Sequence, residues 1–307
     1  METSVNNPME APLVSVILPF LNGGPAFEPA LRSMLQQTYT NWELLLCDDG
    51  SRDGSLELAQ SLQDPRVIVW SDGKTKGLAA RLNECIGRAR GTVIARMDAD
   101  DISYPDRLRQ QVAYLVAHPE VDVVGCCMLI CGEDGSPIGK RTAPAEHEGI
   151  VRTPALGFGL AHPTWMARAA WYRRNLYDPT ALRFEDIELL YRALPGSRFA
   201  NLTEVLYGYR EMRGGLKKRF KTRLGRIRYL AARRQEFGTG LFVRAAVAES
   251  VKVVLDAGLT AISGRYEWLR LREAELTPAE SVEWRRVCAT LKNAAPVAAE
   301  VREGAAA

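Results

Sequence analysis

A chain of 307 residues that is 47% hydrophobic and 25% charged has the make-up of an ordinary globular protein, long enough for one large domain with a helical appendage. No apolar run reaches the roughly 18 residues a membrane-crossing helix needs, and Met1 to Pro12 has neither the positive start nor the apolar core of a signal peptide. Net charge is only +3, yet nine Lys/Arg and no acid fall in residues 217–234, so the remainder of the chain is net acidic.

Residues 1–12 are polar and expected to be a disordered leader. Leu13 to Leu18 is an apolar, β-branched run and predicts a buried strand, ended by Pro19-Phe20-Leu21-Asn22-Gly23-Gly24-Pro25. A helix is expected over Phe27 to Gln36, a second strand over Trp42 to Cys47, a polar turn over Asp48 to Ser55 and a helix over Leu56 to Leu62. Arg66 to Trp70 predicts a third strand, closed by Ser71-Asp72-Gly73. Leu78 to Arg88 has Leu78, Leu82, Cys85 and Ile86 at helical spacing. Val93 to Met97 predicts a fourth strand and Pro105 to Ala117 another helix. This alternation implies an α/β layer with a largely parallel sheet.

Beyond it the pattern changes. Val121 to Cys131 and Ile138 to Arg141 flank an Asp-Gly turn and read as a hairpin. Thr153 to Gly159 reads as a loop, His162 to Met166 as an edge or crossover strand, Phe184 to Arg192 as a helix start and Val205 to Tyr209 as a last strand. From Gly215 the chain is helical in pattern. The six cysteines have no disulfide-scaffold spacing, and Cys126, Cys127 and Cys131 sit in an apolar run, which implies buried thiols and a reducing cytoplasm.

Ala95 to Asp101 carries three acids within four residues, Asp98, Asp100 and Asp101, just past the fourth strand. Three carboxylates so close repel one another, so the cluster is either a solvated turn or the seat of a divalent cation. Ligands of parallel sheets bind beyond the carboxyl ends of the strands. Phe20, Asn22, Asp48, Asp49, Asp72, Asp98 and Asp100 all fall there and are expected to converge on one crevice.

The motifs Val-Ser-Val-Ile-Leu-Pro-Phe-Leu-Asn (14–22), Trp-Glu-Leu-Leu-Leu-Cys-Asp-Asp-Gly-Ser (42–51), Lys-Gly-Leu-Ala-Ala-Arg-Leu-Asn (76–83), Met-Asp-Ala-Asp-Asp (97–101), His-Pro-Thr (162–164), Phe-Glu-Asp-Ile-Glu-Leu (184–189) and Tyr-Gly-Tyr-Arg (207–210) occur in this order. Together they resemble the family 2 glycosyltransferases, inverting enzymes with a GT-A fold that use nucleotide sugars. The resemblance runs from Val14 to Arg210. It implies a leader (1–12), a GT-A domain (13–214) with a nucleotide-binding half (13–103) and an acceptor half (104–214), and a helical region (215–307).

The resemblance makes Asp98-Ala99-Asp100 a DXD motif. Asp100 is then the direct ligand of Mn²⁺ or Mg²⁺, and Asp98 contacts the metal or ribose; oxygen donors suit such hard cations. It places Pro19, Phe20, Asn22, Asp48 and Asp49 around the nucleotide, although the two Asp also suit an Asx turn before Gly50, and Phe20 suits the core. Lys76 and Arg81 are candidate phosphate contacts or solvated helix-cap residues. Asp186, beside Glu185, is the implied catalytic base, against the plainer reading of acids at a helix N-terminus. His162 is an acceptor-side candidate or a structural histidine.

The cation-rich segment has Leu216, Phe220, Leu224, Ile227 and Leu230 at helical spacing, and Val243, Val247, Val251 and Val254 form a second stripe. The basic amphipathic pattern fits an anionic membrane surface through 216–234, at the cytoplasmic face, or a packing layer on the catalytic domain. No stacking or recognition motif supports nucleic-acid binding. The implied function is transfer of a sugar from a nucleotide sugar, a UDP-sugar first, to a glycan or lipid-linked acceptor in cell-surface polysaccharide synthesis. A non-catalytic nucleotide-sugar-binding or scaffold protein is the alternative. A nucleotidylyltransferase is disfavoured because no Gly-rich, basic loop follows the first strand.

Overall fold

A computed structural model of the chain describes residues 11–211, 216–263 and 273–293. Most of the expected leader lies outside these residues. Ala11 and Pro12 are held, since Asn41 Nδ2 donates to the Ala11 carbonyl at 2.6 Å and Tyr39 Oη to that of Pro12 at 2.5 Å.

The first half alternates strictly: β1 (Val14–Phe20), α1 (Gly24–Leu35), β2 (Trp42–Asp48), α2 (Ser55–Gln60), β3 (Val67–Ser71), α3 (Leu78–Arg88) and β4 (Val93–Arg96). β1 pairs in parallel with β2 on one side and β4 on the other, and β2 pairs in parallel with β3. Both faces are covered, so side chains alternate between two cores rather than between core and water. Val14, Val16, Leu18 and Phe20 face one cluster with Phe27, Leu31 and Met34 of α1. Ile17, Leu45, Cys47 and Ile94 face the other with Leu82, Cys85 and Ile86 of α3. Pro19 is tolerated in β1 because Ile17, two residues earlier on the same edge, makes the last pairing with β4.

The second half is mixed. It comprises β5 (Ile102–Ser103), α4 (Arg107–Ala117), β6 (Val123–Cys131), β7 (Pro137–Arg141), α5 (His147–Ile150), β8 (Met166–Arg168), α6 (Ala169–Arg174), α7 (Glu185–Ala193) and β9 (Phe199–Arg210). The strand order is β3-β2-β1-β4-β8-β6-β9-β5, with β7 added beside β6. β8 joins the two halves by antiparallel pairing with both β4 and β6, and β9 runs parallel to β6. The sheet is thus that of a GT-A fold: parallel where a nucleotide is expected and mixed beyond.

Three elements differ from the sequence reading. His162–Thr164 is a 3₁₀ turn rather than strand, because Pro163 lacks an N–H for a ladder; the strand follows at Met166. The last strand begins at Phe199 rather than Val205, and the polar Thr203-Glu204 step interrupts its apolar pattern where the register with β6 shifts. The expected loop over 153–159 holds one 3₁₀ turn, Pro154–Leu156.

The helical region contains α8 (Leu216–Ala232), α9 (Arg234–Phe237), α10 (Thr239–Ser263) and α11 (Pro278–Asn293). None of the described helices is long and apolar enough to cross a membrane. Leu230 and Ala245 pack with Tyr191 of α7, flanked by Ala155, Phe158 and Ile187. Two cations of α8 turn inward, Arg223 and Arg226, which bond Glu249 at 2.9 and 2.7 Å, and Arg233 just past its end bonds Asp178 at 2.6 Å. The packing reading of α8 is therefore realised, whereas the stripe of Val243, Val247, Val251 and Val254 on α10 is exposed.

Candidate active site

The acidic loop leaves β4 directly. Arg96, its last residue, is buried, and its guanidinium forks onto the Asp98 carboxylate, with Nη1 3.0 Å from Oδ2. The Asp98 amide donates to Tyr207 Oη at 3.1 Å. Asp101 is buried; its Oδ1 accepts the Arg210 amide at 2.8 Å, and Arg210 Nε donates to the Asp100 carbonyl at 3.0 Å. Burial first, and then the charge of Asp98, push the Asp100 carboxyl above its ordinary range; Asp101 is raised further by burial, Asp98 and Asp100.

Such mutual repulsion is what a bound cation would relieve. Among the described residues no three His, Cys, Asp or Glu side chains form a ready-made cage. Mg²⁺-type sites need only one or two carboxylates when substrate phosphates and water complete the shell, so the donor set of Asp98 and Asp100 fits Mg²⁺ or Mn²⁺.

The other side of the crevice is built from the ends of β1 and β2, which lie beside each other because Phe20 pairs with Asp48. Their loops are laced together. The amides of Asn22, Gly23 and Gly24 each donate at 2.9 Å, to Ser51 Oγ, Ser55 Oγ and Asp53 Oδ2 respectively. The Arg52 amide returns a bond to Asn22 Oδ1 at 2.8 Å. Asp48 accepts from the amides of Gly50 and Ser51 and from Ser71 Oγ. Burial pushes its carboxyl up, but the bonds from Ser51, Ser71 and Gly50 outweigh it and hold it below the ordinary range. The Asx-turn reading of Asp48 is thus realised.

Asp49 accepts from the amides of Lys76 and Gly77 and from Arg81 Nε at 2.9 Å. Arg81 is fully buried and also bonds Asp72 and Glu84 at 2.6 and 2.8 Å. Lys76 Nζ spans Asp72 and Glu84, each at 2.6 Å. Arg81 and Lys76 therefore both pair with protein carboxylates in and around the loop beyond β3, Arg81 buried and Lys76 exposed just ahead of α3. Phe20 stacks on Phe27 with centroids 4.7 Å apart and only 2% of its surface exposed. Its ring is packed in the cluster shared by β1 and α1.

Glu185 and Asp186 open α7, whose backbone supplies unpaired amides there. Burial and then the charge of Asp186 push Glu185 up to about 7, with Arg96 opposing and Asp98 adding to the rise. Asp186 is raised by burial, opposed by the Ile187 amide and Arg96. The charge of Arg96 thus bears on both acids of α7, and that of Asp98 on Glu185. His162 is 8% exposed and bonds Tyr177 Oη through Nε2 at 2.8 Å; burial and then Arg96 hold it well below 6.5 and therefore neutral. Its ring packs edge-on against Trp165, with centroids 4.7 Å apart.

Two of the described residues other than glycine have positive φ: Asn22 (51°), next to the laced loops, and Arg183 (69°), two residues before Glu185. Backbone strain of this kind concentrates at functional sites. Arg96 and Arg107 escaped the sequence reading, and Tyr207 and Arg210 entered it only as parts of the Tyr-Gly-Tyr-Arg motif, without a role. Arg107 is wholly buried, donates to the Arg96 carbonyl at 2.7 Å and lies over the Tyr207 ring at 4.9 Å. A single Arg inside the apolar run 93–97 was the available signal.

The comparisons with known proteins agree with this geometry. The model described as Glycosyl transferase family 2 matches residues 15–178, which hold the laced loops and the acidic loop but end short of Glu185. The putative glycosyltransferase EpsE of Bacillus subtilis (strain 168) is 41% identical over 217 residues, covering 68% of this chain and 76% of EpsE. The Escherichia coli UDP-Glc:alpha-D-GlcNAc-diphosphoundecaprenol beta-1,3-glucosyltransferase WfgD is 33% identical over 136 residues, 44% of this chain and 53% of WfgD. Among solved structures, S. aureus TarS 1-349 in complex with UDP-GlcNAc has a TM-score of 0.60 at 18% identity, over 91% of this chain and 80% of that one. The mannosyltransferase PcManGT from Pyrobaculum calidifontis, in complex with GDP-Man and Mn²⁺, has a TM-score of 0.58 at 16% identity, over 94% and 83%. At those identities the structural likeness is one of fold. The match spans more than half of the chain and contains its acidic loop, so the chain is a member of glycosyl transferase family 2.

Proposed function

We propose that the protein is a metal-dependent, inverting glycosyltransferase that moves a sugar from a nucleotide-diphosphate sugar, a UDP-sugar first, to a hydroxyl of a glycan or lipid-linked acceptor during cell-surface polysaccharide synthesis. The observation that carries this reading is the pairing, across Arg96, of the Asp98/Asp100 loop with a carboxyl pair at α7 whose proton affinity is raised. The first set suits a donor's diphosphate; the second suits proton removal from an acceptor hydroxyl near neutral pH.

Asp98 and Asp100 would hold Mn²⁺ or Mg²⁺, which when bound neutralises the diphosphate and favours its departure. Asp186, with Glu185 beside it, takes the proton of the acceptor hydroxyl as its oxygen attacks the anomeric carbon from the side opposite the diphosphate. Attack of this kind is a single displacement and inverts the anomeric centre. The laced loops and the Asp49–Arg81 pair keep the nucleotide end rigid. The names of WfgD, which includes a diphosphoundecaprenol acceptor, and of TuaG, a putative teichuronic acid biosynthesis glycosyltransferase, support the acceptor class.

Attachment at the cytoplasmic face of a membrane belongs to the same reading. It is supported by exposed Phe220, Lys221, Arg228 and Arg244, together with the exposed valines of α10. Flotation with anionic vesicles at low salt tests it; protein left at the bottom of the gradient would end it.

Assays with UDP-, GDP- and dTDP-sugars with and without Mn²⁺ test the main proposal. Asp100→Ala should abolish metal-stimulated turnover. Asp186→Asn should abolish transfer while donor binding persists, and wild-type transfer by that variant would overturn the base assignment.

A further inference from the structure

The sequence motif Tyr207-Gly208-Tyr209-Arg210 plays no part in the chemistry above, yet the structure sets it against the acidic loop residue by residue. Tyr207 Oη accepts the Asp98 amide at 3.1 Å. Gly208 pairs with Ile102 and Tyr207 with Ser103 in β5, a strand of two residues whose only ladder among the described residues is to β9. Arg210 bonds the Asp101 carboxylate through its amide and the Asp100 carbonyl through Nε. The loop that presents Asp98 and Asp100 is therefore held at both ends by one strand.

That strand is itself backed by α11. Trp284 is 2% exposed, and its six-membered ring lies directly on Gly208: a Cβ there would stand 2.4 Å from Cζ3 and 2.7 Å from Cη2. The ring also stacks on Tyr104, two residues past Ile102, at 6.0 Å, and Ile102, Tyr104 and Trp284 share one cluster with Leu129 and Cys131. Trp284 Nε1 donates to the Gly135 carbonyl at 3.0 Å, while Arg210 Nη1 donates to that of Glu133 at 2.6 Å, so both hold the same β6–β7 turn. Lys140–Glu280 at 2.8 Å and the bond from Arg32 to the Leu291 carbonyl at 2.8 Å fasten α11 along its length.

We propose that α11 is a clasp for the donor's diphosphate site: Trp284, seated on Gly208, and Arg210 are positioning residues that fix the spacing of Asp98 and Asp100. Two paired residues cannot hold β5 unaided, because so short a ladder has little apolar burial of its own. Trp284 closes one side of β5 and supplies that burial. The clasp lies about a hundred residues past the segment that matches the family model, so a chain cut after β9 would carry every acid of the site without its support.

This inference rests on the proposed function, and its test separates the two. Calorimetric titration of the full-length protein with UDP, GDP and dTDP in the presence of Mn²⁺ establishes which nucleotide binds and how tightly. Asp100→Ala is the control for the site. Trp284→Ala should weaken Mn²⁺–nucleotide binding about tenfold or more, as loss of a supporting partner of a metal site does. Trp284→Phe, which retains a ring on Gly208, should recover most of the affinity. Leu291→Ala, which removes burial from the same cluster far from the loop, should lower the melting temperature without a comparable loss of affinity. Wild-type affinity in Trp284→Ala, or losses in both alanine variants that simply follow stability, would overturn the clasp. Absence of nucleotide binding by the wild-type protein would instead overturn the donor reading, and the clasp with it.

Discussion

Arg96 reaches the Asp98 carboxylate from inside the protein: the guanidinium side chain is 3% exposed and the carboxylate 28% exposed. The first acid of the DXD loop is thus paired on its protein side and open on its crevice side. Arg96→Met should leave Asp98 uncompensated and remove the cation that moderates Asp186. We expect a stability loss of about 2–3 kcal/mol by urea denaturation, the range for breaking a largely buried ion pair from one side. A variant as stable as wild type would show that Arg96 is not needed to balance the site.

The pH dependence of transfer follows from the α7 acids. Glu185 is pushed up to about 7 by burial and the charge of Asp186. A base must be ionised, so kcat/KM should rise with pH on a limb centred near 7 that belongs to the pair. Stability moves the opposite way: a carboxyl raised above its unfolded value of 4.5 favours the folded state below 4.5 and loses that contribution as pH rises through about 7. A flat kcat/KM profile between about pH 6 and about pH 8 would sink this account.

Arg81 is the hub of a charge network with Asp49, Asp72 and Glu84. Bonds from Lys76 and Arg81 hold Glu84 down to about 2, against the upward push of burial. That contribution is present above 4.5 and is lost as pH falls toward 2. Arg81→Met should therefore destabilise the fold by about 3 kcal/mol at neutral pH. It should also flatten the acid limb of the stability profile, measured by denaturation at a series of pH values.

The Phe20 ring is stacked on Phe27 within the core, so its removal should act on stability first. Phe20→Leu should cost about 1–2 kcal/mol of stability from imperfect repacking. The donor KM should stay within twofold of wild type, a small change by the about 1.4 kcal/mol per tenfold scale. A large rise in donor KM at unchanged stability would establish the stacking role.

The parallel half of the fold was legible because fully buried strands are continuous apolar runs with turn residues at their ends. The same continuity hid which way each side chain points: in β1 the register alone sends Phe20 toward α1 and Ile17 toward α3. The acids of the site were legible because carboxylates cluster past strand ends for few reasons. Their buried partners were not: Arg81 stood between a phosphate contact and a helix-cap residue, and Arg96 and Arg107 carried no reading until the fold enclosed them. β5 is too short to leave a pattern, and the backing of Gly208 by Trp284 joins positions 76 residues apart that share no local signal.

The four bonds that lace residues 22–24 to 51–55 have a mechanical consequence. Two loops tied by backbone amides cannot open separately, so this wall of the crevice moves as a single plate or not at all. Adaptation to a different nucleotide would then require coordinated change in both loops, because lengthening either one alone unpicks the other. The loop ahead of α7 is tied to α3 in the same way, since Asn83 exchanges bonds with the Tyr177 amide and carbonyl at 2.9 Å each, so a change there would be felt at the donor end too.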